Sequence, residues 1–182
     1  MKMEKNAMII YGNEEKSQQT GSFMETRLNS VIEKMKSKNI ERNELVSLEE
    51  IKSFEKKNNI ELPKELTAFY NKISNGCKMI DGFNLRKLDE WKFKTGQLNR
   101  DFPFTEPWIW EDDENTEKLK YIEDGNIELI DIGDSQTWNI IVSGKEKGKM
   151  WFFTDVGIQP SAPSMDFLTW FEFWLDGNED YF

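Results

Sequence analysis

The stretch spanning residues 47–83 constrains the fold most, because it carries the start and stop signals of two consecutive helices. Ser47 and Glu50 have the spacing of a capping box, and an apolar stripe follows them. Pro63 suits the first position of a second helix, because its missing N–H would have no intrahelical partner there. Gly76 can adopt the left-handed conformation that ends this helix. The stretch therefore predicts a helical hairpin with one apolar face.

The hydrophobic period changes on the two sides of this hairpin. Before it, an apolar stripe at helical spacing over residues 24–35 predicts another helix, with Ser22 and Glu25 as a capping box. After it, short segments rich in Ile, Val, Trp and Phe predict antiparallel strands. A final aromatic segment after Ser164 predicts a closing helix. The predicted strands are residues 78–81, 83–88, 126–133, 137–142 and 149–154.

This order of elements predicts an α+β fold in which helices flank a mostly antiparallel sheet. N-terminal helices come first, strands follow, and a helix closes the chain. A length of 182 residues suits one domain. We expect residues 1–21 to form an irregular N-terminal arm, in which Met8 to Tyr11 could add a short edge strand. Residues 22–182 are then the single domain.

The segment 101–124 is predicted to be a long irregular insertion, because Pro103 and Pro107 interrupt regular structure and loops of this length usually have a role. Aromatic residues in it are followed directly by an acidic run. Such a combination can anchor a basic protein partner, or the rings can fold back and cover the sheet. Both arrangements stay open at this stage. The predicted partner-binding residues are Trp108, Trp110, Glu111, Asp112, Asp113 and Glu114.

The negative charge of the chain lies in its second half. The net charge is -10, yet residues 1–100 carry 19 basic and 15 acidic side chains, whereas residues 101–182 carry 5 and 19. Such a surface repels nucleic acid and anionic membranes and attracts a basic partner. The alternative reading is that the charge serves solubility alone.

The composition excludes several kinds of catalytic site. The chain contains no His, so neither a Ser-His-Asp triad nor a His-containing metal site can form. Cys77 is either a buried core residue or, less simply, a nucleophile beside Lys78. The acidic run 111–114 lacks the alternating ligands and central Gly of a calcium loop. We predict no cofactor, no metal and no catalytic residues, and an enzyme that uses carboxylates with a divalent cation remains a minor alternative.

The predicted compartment is the cytoplasm. Cys77 is the single cysteine, so no intramolecular disulfide can form, and this fits a reducing environment. The apolar patch near the N-terminus is too short for a signal peptide, and no segment is long enough to span a membrane. The oligomeric state is left open.

Two blocks of the sequence resemble the SUKH superfamily of Smi/Knr-type proteins. In the first, the helix of residues 49–58 leads through the Ile-Glu-Leu-Pro corner of residues 60–63 into a helix closed by Asn75-Gly76. The second contains the segments 129–134 and 162–164 and an aromatic final helix. The chain has Cys77 where many members have a second Gly. The resemblance assigns the fold signature to Glu55, Leu62, Pro63, Asn75, Gly76, Gly133 and Ser164.

This resemblance implies an α+β fold and a non-catalytic binding function. Many bacterial members are immunity proteins that neutralise a cognate toxin, which is often a nuclease. Fungal relatives are regulators of cell-wall assembly. The leading expectation is therefore an immunity protein whose partner is a cognate protein toxin with a basic surface. The alternative is a regulatory or scaffold module that binds a host signalling or cell-wall-related protein.

Overall fold

The structure is a computed structural model that describes residues 21–79, 81–111, 113 and 116–177. Three helices precede the strands in the described part of the chain, and a fourth helix follows them. This is the predicted α+β architecture. The helices are α1 (residues 21–37), α2 (Leu48–Asn58), α3 (Lys64–Lys72) and α4 (Phe167–Leu175). The strands are β1 (Cys77–Lys78), β2 (Asn84–Leu85), β3 (Trp108–Ile109), β4 (Asn126–Gly133), β5 (Gln136–Ile141), β6 (Met150–Phe153) and β7 (Gly157–Pro160).

The predicted helical hairpin is confirmed as α2 and α3. The backbone N–H of Glu50 donates to Ser47 Oγ at 3.2 Å, and the carboxylate of Glu50 accepts from the Ser47 backbone N–H at 2.9 Å. The hydrogen bond from the Ser47 hydroxyl also lowers the pKa of Glu50. At the corner, Glu55 Oε1 accepts from the backbone N–H of Leu62 at 2.7 Å. Local polar contacts therefore fix the start of α2 and the corner between α2 and α3.

Five strands form one antiparallel sheet in the order β3-β7-β6-β5-β4, and β1 and β2 form a separate antiparallel pair. The predicted hairpin between β5 and β6 is present, with Trp138 opposite Phe152. An irregularity in β4 between Glu128 and Ile130 breaks the alternation of side chains. Leu129 and Ile130 are consequently both buried, although they are adjacent in the sequence.

Aromatic side chains hold the helices against the inner face of the sheet. Phe69 of α3 lies edge-on to Phe167 and Phe171 of α4, with ring centroids 5.2 and 4.8 Å apart. Trp170 of α4 packs against Trp138 of β5, with centroids 5.1 Å apart. All five rings are almost completely buried. This packing joins elements from both ends of the domain.

The segment 101–124 is not simply an irregular insertion. It contributes β3, which pairs with β7 at one end of the sheet, and a short 3-10 helix at Thr116–Tyr121. Phe102 and Phe104 are 2% and 7% exposed, so they cover the outer face of the sheet. There they form a second apolar cluster with Trp151 and neighbouring residues. The two phenylalanines are therefore core residues.

Two predicted helix caps are wrong. The N-cap of α4 is Asp166, whose Oδ1 accepts from the Thr169 backbone N–H at 2.8 Å, whereas Ser164 is exposed before the helix. Residue 21 is already helical, so Ser22 lies inside α1 and does not cap it. The predicted arm and the strand at Met8 to Tyr11 lie outside the described residues, apart from residue 21 itself.

Gly76 is required by both its conformation and its surroundings. Its φ is +68°, and a Cβ there would lie 2.4 Å from the carbonyl oxygen of Leu85. Gly96 has a similar φ of +78° but open space around it. We expect Gly76→Ala to lose about 1–3 kcal/mol more stability than Gly96→Ala, because only the first substitution adds a backbone clash to the backbone strain. Urea unfolding of both variants measures the difference, and equal losses would contradict the role of the close contact.

Candidate partner-binding surface

The candidate surface lies at the end of the sheet formed by β3. Trp108 is opposite Ile158 and Ile109 is opposite Gly157 in the antiparallel pairing with β7. A Cβ on Gly157 would lie 2.8 Å from the carbonyl oxygen of Trp108, so β3 can approach this closely only because residue 157 is Gly. We call Trp108, Trp110, Glu111 and Asp113 the tryptophan edge.

Both indole N–H groups of the tryptophan edge are used within the chain. Trp108 Nε1 donates to Asp113 Oδ2 at 2.8 Å, and Trp110 Nε1 donates to the carbonyl oxygen of Asp155 at 2.9 Å. Both rings are half-buried and pack against the outer cluster. A partner can therefore contact the exposed parts of these rings without finding free N–H donors. Both tryptophans thus cover part of the sheet, and their role as a contact surface stays a prediction.

The remaining predicted contact residues divide into three groups. Glu111 is exposed, whereas Asp113 is half-buried and accepts the Trp108 hydrogen bond. Asp112 and Glu114 lie outside the described residues. Sequence reasoning missed Ile109, whose side chain is 52% exposed between the two tryptophans. The alternation of side chains along a strand could have identified Ile109 from the sequence. Two inward-facing tryptophans require the residue between them to face outward.

Ion pairs between the two halves of the chain cancel much of the charge asymmetry in the sequence. Arg86 bonds the carboxylate of Glu128 and lies 3.5 Å from that of Asp131. Arg27 likewise lies between Asp166 and Glu172 at 3.5 and 3.3 Å. Further pairs of this kind are Lys34 with Asp176, Lys92 with Glu128 and Asp131, Lys94 with Glu123, and Arg100 with Asp124.

Carboxylates around the tryptophan edge differ from those paired groups. Glu106, Glu111 and Asp155 are exposed, and none of them has an ion pair within the described ranges. Glu106 lies just before β3, Glu111 lies just after it, and Asp155 lies in the turn that leads into β7. Carboxylates without an ion pair in the described ranges therefore flank β3, on which the apolar side chain of Ile109 is exposed.

Asp124 is a buried carboxyl at the end of the segment that covers the outer face. It is 4% exposed, its Oδ1 accepts no hydrogen bond from the described residues, and Arg100 Nη1 lies 3.9 Å away. Burial raises the pKa of Asp124, the positive charge of Arg100 opposes this, and the negative charge of Glu123 adds to it. The group consequently holds its proton more tightly than an exposed Asp does.

The structure places Cys77 among core residues. Its side chain is 3% exposed, and burial raises the pKa of its thiol to about 12. Very little thiolate therefore exists at neutral pH. Among the described residues, no three His, Cys, Asp or Glu side chains form a group that could hold a metal ion.

A comparison with models of known families identifies the family to which the chain belongs. The model of the SMI1 / KNR4 family (SUKH-1) matches residues 45–172. The chain belongs to this family. The searches of curated proteins and of solved structures returned no match. The matched range includes the helical hairpin, the complete sheet and most of α4, and it confirms the resemblance seen in the sequence.

Three of the SUKH signature residues have clear structural roles in this chain. Glu55 closes the α2–α3 corner by accepting from Leu62, as described above. Asn75 Oδ1 accepts from the Leu88 backbone N–H at 2.8 Å, and this bond fixes the segment after β2. Gly76 allows the close approach of the backbone at residue 85. These roles concern the fold, and partner-contacting residues have to be sought elsewhere.

None of the helices in the described ranges is both long and apolar enough to cross a bilayer.

The raised pKa of Asp124 predicts a specific pH dependence. Between the ordinary value of 3.8 and the higher value in the folded protein, the folded state binds more protons than the unfolded state. Lowering the pH through this window therefore stabilises the wild type relative to Asp124→Asn. Urea unfolding of both proteins between pH 7 and pH 4 measures the change in their stability difference.

Glu61→Gln is the matched control for this experiment, because Glu61 is an exposed carboxylate on the helical side. Its stability difference from the wild type should change little over the same pH range. If the difference between wild type and Asp124→Asn were constant with pH, Asp124 would have an ordinary pKa in the folded protein.

Proposed function

We propose that this SUKH-family protein is a non-catalytic immunity protein that binds a cognate bacterial toxin with a basic surface and blocks its activity. The tryptophan edge would be the center of the interface, together with Asp112 and Glu114 of the same segment. The observation that carries the proposal is the combination of family membership with exposed, unpaired carboxylates beside half-buried tryptophans. The buried Cys77 thiol supports a binding function over nucleophilic catalysis.

Electrostatic attraction is one reason why we place the toxin interface at the tryptophan edge. A nuclease toxin has to attract phosphate groups with Lys and Arg side chains, so an acidic inhibitor can occupy the same region and associate rapidly. Glu106, Glu111 and Asp155 are not neutralised by cations of the described chain, unlike the carboxylates paired with Arg27 and Arg86. Their charge is consequently available to a partner.

The tryptophans would increase the affinity of the complex beyond what electrostatic attraction supplies. Large aromatic side chains dominate many interfaces because they bury much apolar area with few rotatable bonds. Hydrogen bonds to Asp113 and Asp155 already hold both indoles in place. Binding would therefore cost little side-chain entropy at these two positions.

The family also includes regulatory proteins, and this supports a second candidate function. The same surface could bind a host signalling or cell-wall-related protein without any toxin. Charge and exposed apolar area alone do not separate the two functions, because both require a protein partner. Rescue of growth does separate them.

The proposal is tested by co-expressing the chain with the C-terminal domain of the protein encoded by the adjacent gene. We expect this domain to arrest growth when expressed alone and the chain to restore growth. A direct complex between the two purified proteins should accompany the rescue. A complex without rescue would favour the regulatory function, and the absence of both complex and rescue would reject the adjacent protein as the toxin.

The role of the acidic run is tested by the variant Glu111→Gln, Asp112→Asn, Asp113→Asn, Glu114→Gln. Asn at residue 113 keeps an oxygen that can accept from Trp108. We expect the association rate with the toxin at low salt to fall roughly 10-fold, and its dependence on salt to weaken, because steering charge is lost. Stopped-flow tryptophan fluorescence at several salt concentrations measures both quantities.

A matched control removes the same charge from the helical side of the molecule. It replaces four exposed glutamates by glutamine: Glu41, Glu44, Glu49 and Glu61. The control should retain most of the wild-type association rate. Equal effects of the two variants would mean that overall charge, and not the tryptophan edge, governs association.

A further inference from the structure

A cleft beside the tryptophan edge has the chemistry of a binding site for an organic cation. Its volume is about 350 Å³, and it lies between the proline-rich chain that precedes β3 and the 3-10 helix at Thr116–Tyr121. We call it the aromatic cleft. The residues that matter for its chemistry are Phe104, Glu106, Pro107, Trp108, Lys118 and Tyr121.

The aromatic rings of the cleft already hold cations from the same chain. Lys118 Nζ lies over the Trp108 ring, 5.8 Å from its centroid, and Lys120 Nζ lies 4.9 Å from the centroid of Tyr121. Ring faces attract cations because their π electrons carry partial negative charge. Both lysines are exposed, so each ammonium group can leave its ring for water without breaking a buried contact. Lys118, which lines the cleft, is therefore a replaceable occupant.

The walls of the cleft are fixed in place, unlike these lysine side chains. Phe104 stacks on Trp108 with an interplanar angle of 14° and centroids 5.2 Å apart. The indole N–H of Trp108 is held by Asp113. Phe104 is 7% exposed and belongs to the outer apolar cluster, which anchors the wall to the sheet. A guest would therefore meet a preformed flat surface.

Glu106 supplies the charge that a cationic guest needs. Its side chain lines the cleft and is exposed, and the described residues provide it with no ion pair. A carboxylate beside an aromatic face suits a guanidinium group, which can stack on the ring and donate two hydrogen bonds to one carboxylate. An ammonium group has neither the flat face for stacking nor the paired N–H groups for a bidentate bond.

We propose that the aromatic cleft binds an arginine side chain of the partner, stacked on Trp108 and paired with Glu106, in place of Lys118. The inference rests on the proposed function for the presence of a partner, and it adds the kind of side chain that the surface recognises. The cleft adjoins the tryptophan edge through Trp108, so one partner surface can occupy both. Lys118 competes with the guest and lowers its affinity.

The test needs no partner protein and uses methylguanidinium as the probe. The indole N–H resonance of Trp108, assigned with Trp108→Phe, is followed by NMR during titration at constant ionic strength. We expect a saturable shift with the wild type, roughly 2- to 5-fold weaker binding to Glu106→Gln, and tighter binding by a similar factor to Lys118→Met. Methylurea has nearly the same shape but no charge, so it should cause no saturable shift.

Several outcomes would overturn the proposal. These are equal affinity of wild type and Glu106→Gln, weaker binding to Lys118→Met, and the same saturable shift with methylurea. Glu61→Gln is the control, because it removes one exposed carboxylate far from the cleft in sequence and should bind as the wild type does.

The result of the methylguanidinium titration can be interpreted independently of the growth experiment. Growth rescue without methylguanidinium binding would reject the cleft alone, whereas specific methylguanidinium binding without rescue would support the cleft and reject immunity against the adjacent protein.

Discussion

The packing of aromatic rings between α3, α4 and the inner face of the sheet is the contact on which the rest of the structure depends. Phe69, Phe167 and Phe171 join the two helices, and Trp138 with Trp170 joins α4 to β5. These rings come from three distant parts of the chain. The outer face of the sheet also carries apolar side chains, such as Trp151 and Ile158, and the segment 101–124 covers them.

Charge has two different roles in this molecule. Cations of the first half meet carboxylates of the second half where the halves pack, as Arg86 does with Glu128 and Arg27 with Glu172. At the end strand β3, carboxylates such as Glu111 remain without such partners in the described part of the chain. A surface of this kind limits pairing between sheet edges of two copies, because charged residues beside a very short edge strand oppose it. It also attracts a partner of opposite charge.

The residues that define the family fold and the residues of the proposed interface are different. Family membership indicates the fold of the chain and does not identify its partner surface. The signature residues Glu55 and Asn75 hold backbone segments in place, and neither belongs to the tryptophan edge. In this chain the edge and the aromatic cleft share Trp108, so the same ring would contribute apolar contact and recognition of a cation. Trp108 is thus the residue that connects the two proposals.

Local sequence patterns were sufficient to predict the helical hairpin, the strand β4 and the α+β order, because capping residues and hydrophobic period act over a few neighbouring residues. They also identified the aromatic segment 101–124 as distinct from the rest of the sheet region. Contacts in the folded chain determine that Phe102 and Phe104 are buried, that Trp108 forms part of an edge strand, and which carboxylates are paired. These outcomes depend on contacts between residues far apart in sequence, and a local pattern contains no information on which distant group will lie opposite.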